Sequence, residues 1–242
     1  MIKDRIVDKI IKTESSANSV FEDKGRIYTF LNPVSYLDAE KHVELFDSID
    51  GIFADGALVV KAIRLVYHAR VEKREFDMSS MAKSLFNYAV ENDKTIYIIA
   101  SKDEEIENAV EKIKKSFPNL RLLGYRSGYF MDSQEYEEAI SRVISLSPDY
   151  LIVGMGAIKQ EEFLVKTKNA GFKGIGFTCG AFITQIANYA SGVDFFPDWA
   201  VRFNVRFIYR IFKEPHTRKR YLKAGVVFPF KFLCNKWGLA KS

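Results

Sequence analysis

Three places in this 242-residue chain set side chains where chemistry can be done. The first is Asp55-Gly56, which closes the short apolar run GIFAD. A carboxylate there can act as a general base or bind a sugar hydroxyl; an Asp at such a point can equally cap a helix beginning near Ala57. The second is Gly154-Met155-Gly156, at the end of the apolar run that begins at Tyr150. Backbone N–H groups at a turn into a helix can cradle a pyrophosphate. Lys159 and Gln160 then place a cation and an amide in the first helical turn, which suits an anionic, hydrogen-bonding ligand. A plain strand–helix turn would also account for the two glycines. The third is the tail DWAVRFNVRFIYRIFKEPHTRKRYLK, where Arg202, Arg206, Arg210 and Lys213 recur on one helical face. Phe203, Phe207, Ile208, Ile211 and Phe212 make another face.

Weaker candidates surround these. Asp77, in EKREFDMSSMA, could orient Arg74 or a ligand hydroxyl, or could cap a helix. Tyr129, in Ser127-Gly128-Tyr129-Phe130, could stack on a ligand or simply pack. Gly180 lies in the turn Thr178-Cys179-Gly180, and Asn32 ends the run RIYTFLN.

Several classes find no support. The dinucleotide fingerprint needs a third glycine where Lys159 stands. There is no G-x-S-x-G, no phosphate-loop motif and no D-x-D pair for a metal-bound diphosphate. The histidines, His42, His68 and His216, lack ligand spacing. Two cysteines fit a reduced compartment rather than a disulfide scaffold. The charged N-terminus reads as no signal peptide. Gly174–Val193 carries no charge but holds Thr, Gln, Asn and several glycines, so it reads as a strand, a turn and a helix rather than a membrane span.

The elements that must position these residues alternate. Strands are expected at 26–32, 51–55, 95–101, 120–126, 150–156 and 174–177. Helices are expected at 33–48, 57–67, from a Ser79 or Ser80 cap to 92, 103–116, 133–146, 159–169 and 181–190. This is an α/β pattern: a Rossmann-like, mostly parallel sheet with helices on both faces. Ligands of such sheets bind at the carboxyl ends of the strands, where Asn32, Asp55, Gly154 and Gly180 fall. The expected division is residues 1–196 as the α/β domain and 197–242 as a helical basic appendage.

Charge follows that division. Residues 1–200 carry net −5 and residues 201–242 carry net +10. Cations and aromatics segregated by face suit an anionic membrane surface better than nucleic acid. A greasy exposed tail also allows self-association.

The segments LNPVSYL, FADGALVVKAIR, GYRSGYF, VGMGAIKQEEF, the CGAF turn and FIYRIFKEPHTRKRYL, in this order, resemble the WecG/TagA/CpsF family of glycosyltransferases. The resemblance implies an inverting, metal-independent and cofactor-free transfer from a UDP-sugar donor to a polyprenyl-diphosphate-linked saccharide, at the cytoplasmic membrane face. It makes Asp55 the general base and places Gln160 on the nucleotide-sugar. Asn32 would line the sugar pocket. Arg210, and more loosely Arg206, Arg218 and Arg220, would meet the diphosphate. Gly56, Asp77, Tyr129, Gly154, Gly156, Lys159 and Gly180 complete the candidate substrate-binding set. The chain departs from the pattern at Glu72, where an Arg is usual, at Ile158 for Pro and at Cys179 for Gly. A tail carrying the arginines would close the site at the membrane; truncation near Trp199 is expected to stop transfer and leave the body folded. Two other classes remain: a nucleotide-cofactor oxidoreductase and a non-catalytic membrane or nucleic-acid binding module.

Overall fold

The computed structural model describes residues 4–189 and 218–237, together with Val193, Pro197, Arg202, Tyr209 and Phe212. The apolar runs form strands β1 (Ile27–Leu31), β2 (Gly51–Ala54), β3 (Thr95–Ala100), β4 (Arg121–Arg126), β5 (Tyr150–Gly154) and β6 (Ile175–Thr178). They make one sheet in the order β2-β1-β6-β5-β3-β4, parallel at every pairing. β1, β2, β5 and β6 are buried along their whole length. Continuous apolar strands are what a sheet covered on both faces requires. The α/β, Rossmann-like expectation holds.

The helices are α1 (Arg5–Ser15), α2 (Pro33–Ala39), α3 (Val43–Asp47), α4 (Ala57–Tyr67), α5 (Met81–Glu91), α6 (Asp103–Ser116), α7 (Ser133–Leu146), α8 (Lys159–Asn169), α9 (Phe182–Asn188) and α10 (Arg218–Trp237). One core joins Tyr28, Phe30, Ile98 and Phe177 of the sheet to α5, α6 and α9. The other joins Ile27, Leu31, Leu151 and Val153 to α1, α2, α4, α7, α8 and α10.

Three local findings differ from the sequence-based expectation. The helix expected over 33–48 is two, α2 and α3. The Lys9 ammonium of α1 donates to the carbonyls of Phe46, Asp47 and Ile49 at 2.7–2.8 Å, which ties the end of α3 to α1. Helix α1 itself was not anticipated. Asp4 caps it, accepting from the N–H groups of Ile6 and Val7 at 3.0 Å, and its apolar side carries Ile6, Val7 and Ile10. Finally, neither Ser79 nor Ser80 caps α5 with its side chain. Asp77 organises that turn: its Oδ1 accepts from the Ser79 N–H and hydroxyl, and its carbonyl accepts from Ser80 and Ala82.

Helix α10 lies against α2 and α4. Phe228 and Phe232 are buried and meet the Tyr36 ring at centroid distances of 5.2 and 5.5 Å. Phe232 also meets Tyr67 at 5.4 Å. The opposite side of α10 leaves Leu222, Val226, Phe230 and Trp237 exposed.

Candidate active site

The carboxyl ends of the strands line up Asp55, Asn32, the Thr178–Gly180 turn and the Gly154–Gly156 turn, in the order of β2, β1, β6 and β5. Four strands at the usual spacing span roughly 15 Å, the scale of an extended nucleotide-sugar. The ladder continues past the strand ends. The Asp55 N–H donates to Leu31 O at 3.0 Å, and the Cys179 N–H to Val153 O at 2.8 Å. These bonds fix where each turn begins.

Asp55 is half-buried and sits one residue before the N-cap of α4, which is Gly56. The capping position is therefore not Asp55's. Gly56 has φ of +87°, a conformation that disfavours side chains, and it turns the chain from β2 into α4 beside the carboxylate. Arg74 runs alongside: its N–H donates to Ala54 O at 2.9 Å. The Arg74 guanidinium pairs with Glu14 and Glu72 at 3.1 Å, and Lys73 pairs with Glu75 at 3.4 Å. Both cations in the segment that departs from the family pattern have acidic partners.

Asn32 is the N-cap of α2. Its Oδ1 accepts from the N–H groups of Val34 and Ser35 at 2.9 and 3.1 Å, and Ser35 Oγ accepts from the Asn32 N–H in return. A polar residue was thus required here by the helix, whatever else it does.

Gln160 is buried, with its Oε1 accepting from the Gly180 N–H at 3.1 Å. It joins the α8 turn to the β6 turn. Gly154 permits that closeness: a Cβ there would stand 2.6 Å from Cys179 Sγ and 2.8 Å from Gly180 O. Cys179 is buried, and burial pushes its thiol up to about 12. It fills space and is no nucleophile. Gly156 and Lys159 are exposed at the mouth of the turn. The amino ends of α2, α4, α8 and α9 meet this edge and add partial positive charge, which favours a diphosphate.

The remaining candidates are spread around this edge and along α10. Asp77 is buried in its turn, beside Phe76, which meets Phe30 and Phe182. Tyr129 follows the edge strand β4, but its loop folds back over the end of β3 to the β5 turn: the Gly128 N–H donates to Ser101 O at 2.9 Å, a Cβ on Gly128 would stand 2.9 Å from Met155, and the Phe130 ring stacks on Phe163 of α8 at 5.9 Å. The Tyr129 side chain is exposed, and its carbonyl accepts from Arg126 at 3.2 Å. Arg206 and Arg210 lie outside the described residues. Arg218 and Arg220 are exposed in the first turn of α10.

One buried acid was passed over in the sequence. Glu161 is 2% exposed, and burial holds its carboxyl above the ordinary carboxylate range. It accepts from Thr29, Gln160 and the Ile158 N–H. Its neighbour Glu162 is exposed, so adjacent identical residues on one helix have opposite fates. The available signal was helical phase: Glu161 lies three residues before Leu164, on the sheet side.

The chain matches the family model "Glycosyl transferase WecG/TagA/CpsF family" over residues 7–242. It is 36% identical over 230 residues to UDP-Gal:alpha-D-GlcNAc-diphosphoundecaprenol beta-1,4-galactosyltransferase of Shigella boydii, covering 94% of this chain and 95% of that one. It is 27% identical over 201 residues to N-acetylglucosaminyldiphosphoundecaprenol N-acetyl-beta-D-mannosaminyltransferase of Bacillus subtilis (strain 168), covering 82% and 75%. A family match across nearly the whole chain, on a fold whose carboxyl edge assembles Asp55, Asn32 and Gln160, leads to one conclusion: the chain belongs to the WecG/TagA/CpsF family of glycosyltransferases.

Proposed function

We propose that this protein transfers a hexose, galactose in the first instance, from its UDP derivative to GlcNAc-diphosphoundecaprenol during cell-surface polysaccharide synthesis. The observation that carries this is the neighbouring placement of Asp55 and Asn32 on β2 and β1, beside the Gln160–Gly180 junction. Support for galactose comes from the galactosyltransferase relative, the more similar of the two described above.

Asp55 takes the proton from the acceptor hydroxyl. The hydroxyl oxygen attacks the anomeric carbon from the face opposite the diphosphate. The bond to the diphosphate oxygen breaks and UDP leaves, so an α-linked donor gives a β-linked product. Charge on the leaving diphosphate is met by the helix amino ends and by Arg206, Arg210, Arg218 and Arg220. For Arg218 and Arg220, the support is the course of α10. Its contacts advance from Phe228 at Tyr36 to Asn235 and Lys231 at Glu40, which turns its first residues toward the Asn32 end of α2. Gly56, Gly154, Gly156 and Gly180 shape the donor turns, Lys159 stands at the mouth, and Asp77 holds the α5 turn behind them. Tyr129, exposed on the loop that folds back to Met155, would meet the substrate on the β5 side of the edge. Residues 197–242 form the appendage. Its exposed Leu222, Val226, Phe230 and Trp237, among lysines and arginines, support a reading in which the enzyme works on the anionic inner membrane face. Among the described residues, no helix is long and apolar enough to cross a membrane.

The test is acceptor-dependent release of UDP from a panel of UDP-sugars. Asp55→Asn is expected to lower the rate roughly 100-fold or more, the usual worth of a general base, while UDP binding persists. An Asp55→Asn enzyme as fast as the parent would remove Asp55 from the base role.

A further inference from the structure

Glu161 has three acceptor contacts and no outlet to solvent. Oε1 accepts from the Thr29 hydroxyl at 2.7 Å and from Gln160 Nε2 at 2.9 Å; Oε2 accepts from the Ile158 N–H at 2.7 Å. The Thr29 hydroxyl lies 2.8 Å from that of Thr178 on the neighbouring strand β6. A hydroxyl has one hydrogen. Thr29 gives its hydrogen to Glu161, so Thr178 must donate to Thr29. The whole chain of bonds then points at one carboxylate.

This has a consequence for Gln160. A carboxylate offers only acceptors, so it can face only the NH2 end of the Gln160 amide. That orientation leaves Oε1 to receive the Gly180 N–H at 3.1 Å. Glu161, together with the Gly180 N–H, which can only donate, therefore fixes which way the amide faces at the centre of the carboxyl edge. It also holds the N–H of Ile158, a β-branched residue at φ of +73°, where side chains are strained. Such a backbone persists only where its surroundings over-determine it.

We propose that Glu161 is a positioning residue for the nucleotide-sugar, acting through the Gln160 amide and the Gly156–Ile158 turn. This rests on the reading that those two features meet the donor. Glu161 itself touches neither substrate nor reacting atoms.

The experiment is a double-mutant cycle on UDP binding, measured by calorimetry with the full-length protein, alongside kcat and KM for the UDP-sugar. Glu161→Gln can present an NH2 where a carboxylate stood, so the Gln160 amide keeps only the Gly180 N–H to hold its orientation. Its UDP Kd and donor KM should rise about tenfold, the loss of roughly one charge-assisted bond, with kcat within about threefold of the parent. In the Gln160→Ala background the same change should add almost nothing, because the path runs through Gln160. Should Glu161→Gln not fold, Thr29→Val removes one donor to the carboxylate. It should raise Kd about threefold in the parent background only. Equal effects in both backgrounds, or a lower melting temperature with Kd and KM unchanged, would overturn the proposal and leave Glu161 a fold residue. A parent protein that binds no UDP would instead overturn the donor-site reading and this inference with it.

Discussion

Asn32 gives its amide oxygen to the cap of α2, so a substitution there must separate a helix effect from a substrate effect. Asp caps helices as well as Asn does, whereas Ala costs about 1 kcal/mol. Asn32→Asp should thus melt with the parent. It also places a second carboxylate on the strand next to Asp55, where like charge opposes both the base and a diphosphate. Transfer should fall at least about tenfold at unchanged melting temperature. Equal activity would mean that Asn32 serves the helix only. The candidates on strand ends, Asn32, Asp55, Gly154 and Gly180, were legible because their position follows from where an apolar run stops. Glu161 was not legible in the same way. The run Lys159-Gln160-Glu161-Glu162 looks uniformly polar; helical phase with Leu164 is its one signal, and the contact of α8 with β1 and β6 is what buries one acid and leaves the other exposed.

At the scale of elements, α10 is held by an apolar contact and a polar one. Phe228 and Phe232 enter the core shared with α2. Beside them Asn235 donates to Tyr36 and Glu40, and Lys231 lies 3.8 Å from Glu40. Burial holds Glu40 above the ordinary carboxylate range, against the lowering effects of Asn235 and Lys231. An acid with a raised folded value binds its proton more tightly in the folded state. Its contribution to stability is therefore full at low pH and is lost as pH rises through that raised value. Glu40→Gln should make the melting temperature less sensitive to pH above 4.5, the ordinary value of the carboxyl, with its advantage over the parent growing as pH rises. A parallel pair of melting curves would refute this. The outward side of α10 can be tested separately. Val226→Glu with Phe230→Glu should abolish sedimentation with anionic vesicles and leave the melting temperature unchanged, since both side chains are exposed. Undiminished sedimentation would remove this face from the membrane reading. These substitutions are cleaner than truncation near Trp199, which would also strip Phe228 and Phe232 from Tyr36 and Tyr67.

For the molecule as a whole, the two edges of the parallel sheet differ. At the amino edge, Asp149 accepts from the Thr95 N–H and hydroxyl at 2.9 Å, and its own N–H donates back to Thr95 Oγ1 at 3.0 Å. This joins the start of β5 to the start of β3. Burial works against the Asp149 carboxylate, but the Thr95 bonds and Lys94 outweigh it and hold its value below the ordinary one. An acid with a depressed folded value contributes stability above its unfolded value, here 3.8, and loses it as pH falls further. Asp149→Asn should flatten the fall in melting temperature below about pH 4. An unchanged slope would show that other carboxylates govern acid unfolding. At the carboxyl edge the opposite holds: exposed glycine turns and helix amino ends gather where β2, β1, β6 and β5 stop. Stability is thus concentrated at one edge and chemistry at the other.

By itself the sequence determined the alternation of strands and helices, the parallel sheet that follows from it, and the residues at the strand ends. Each of these depends on local periodicity and on the covalent order of the chain. The tertiary structure decided which strand ends are neighbours. Order along the sheet puts Asp55 next to Asn32, and the loop after β4 folds back across β3 so that Gly128, beside Tyr129, lies against Met155 of the β5 turn. It also decided that one side of α10 faces the body, with Phe228 and Phe232 inside and Val226 and Phe230 outside. Apolar residues on a short helix suit a protein core and a lipid surface equally well. Only the partner that each side meets distinguishes them, and that partner lies far away in the sequence.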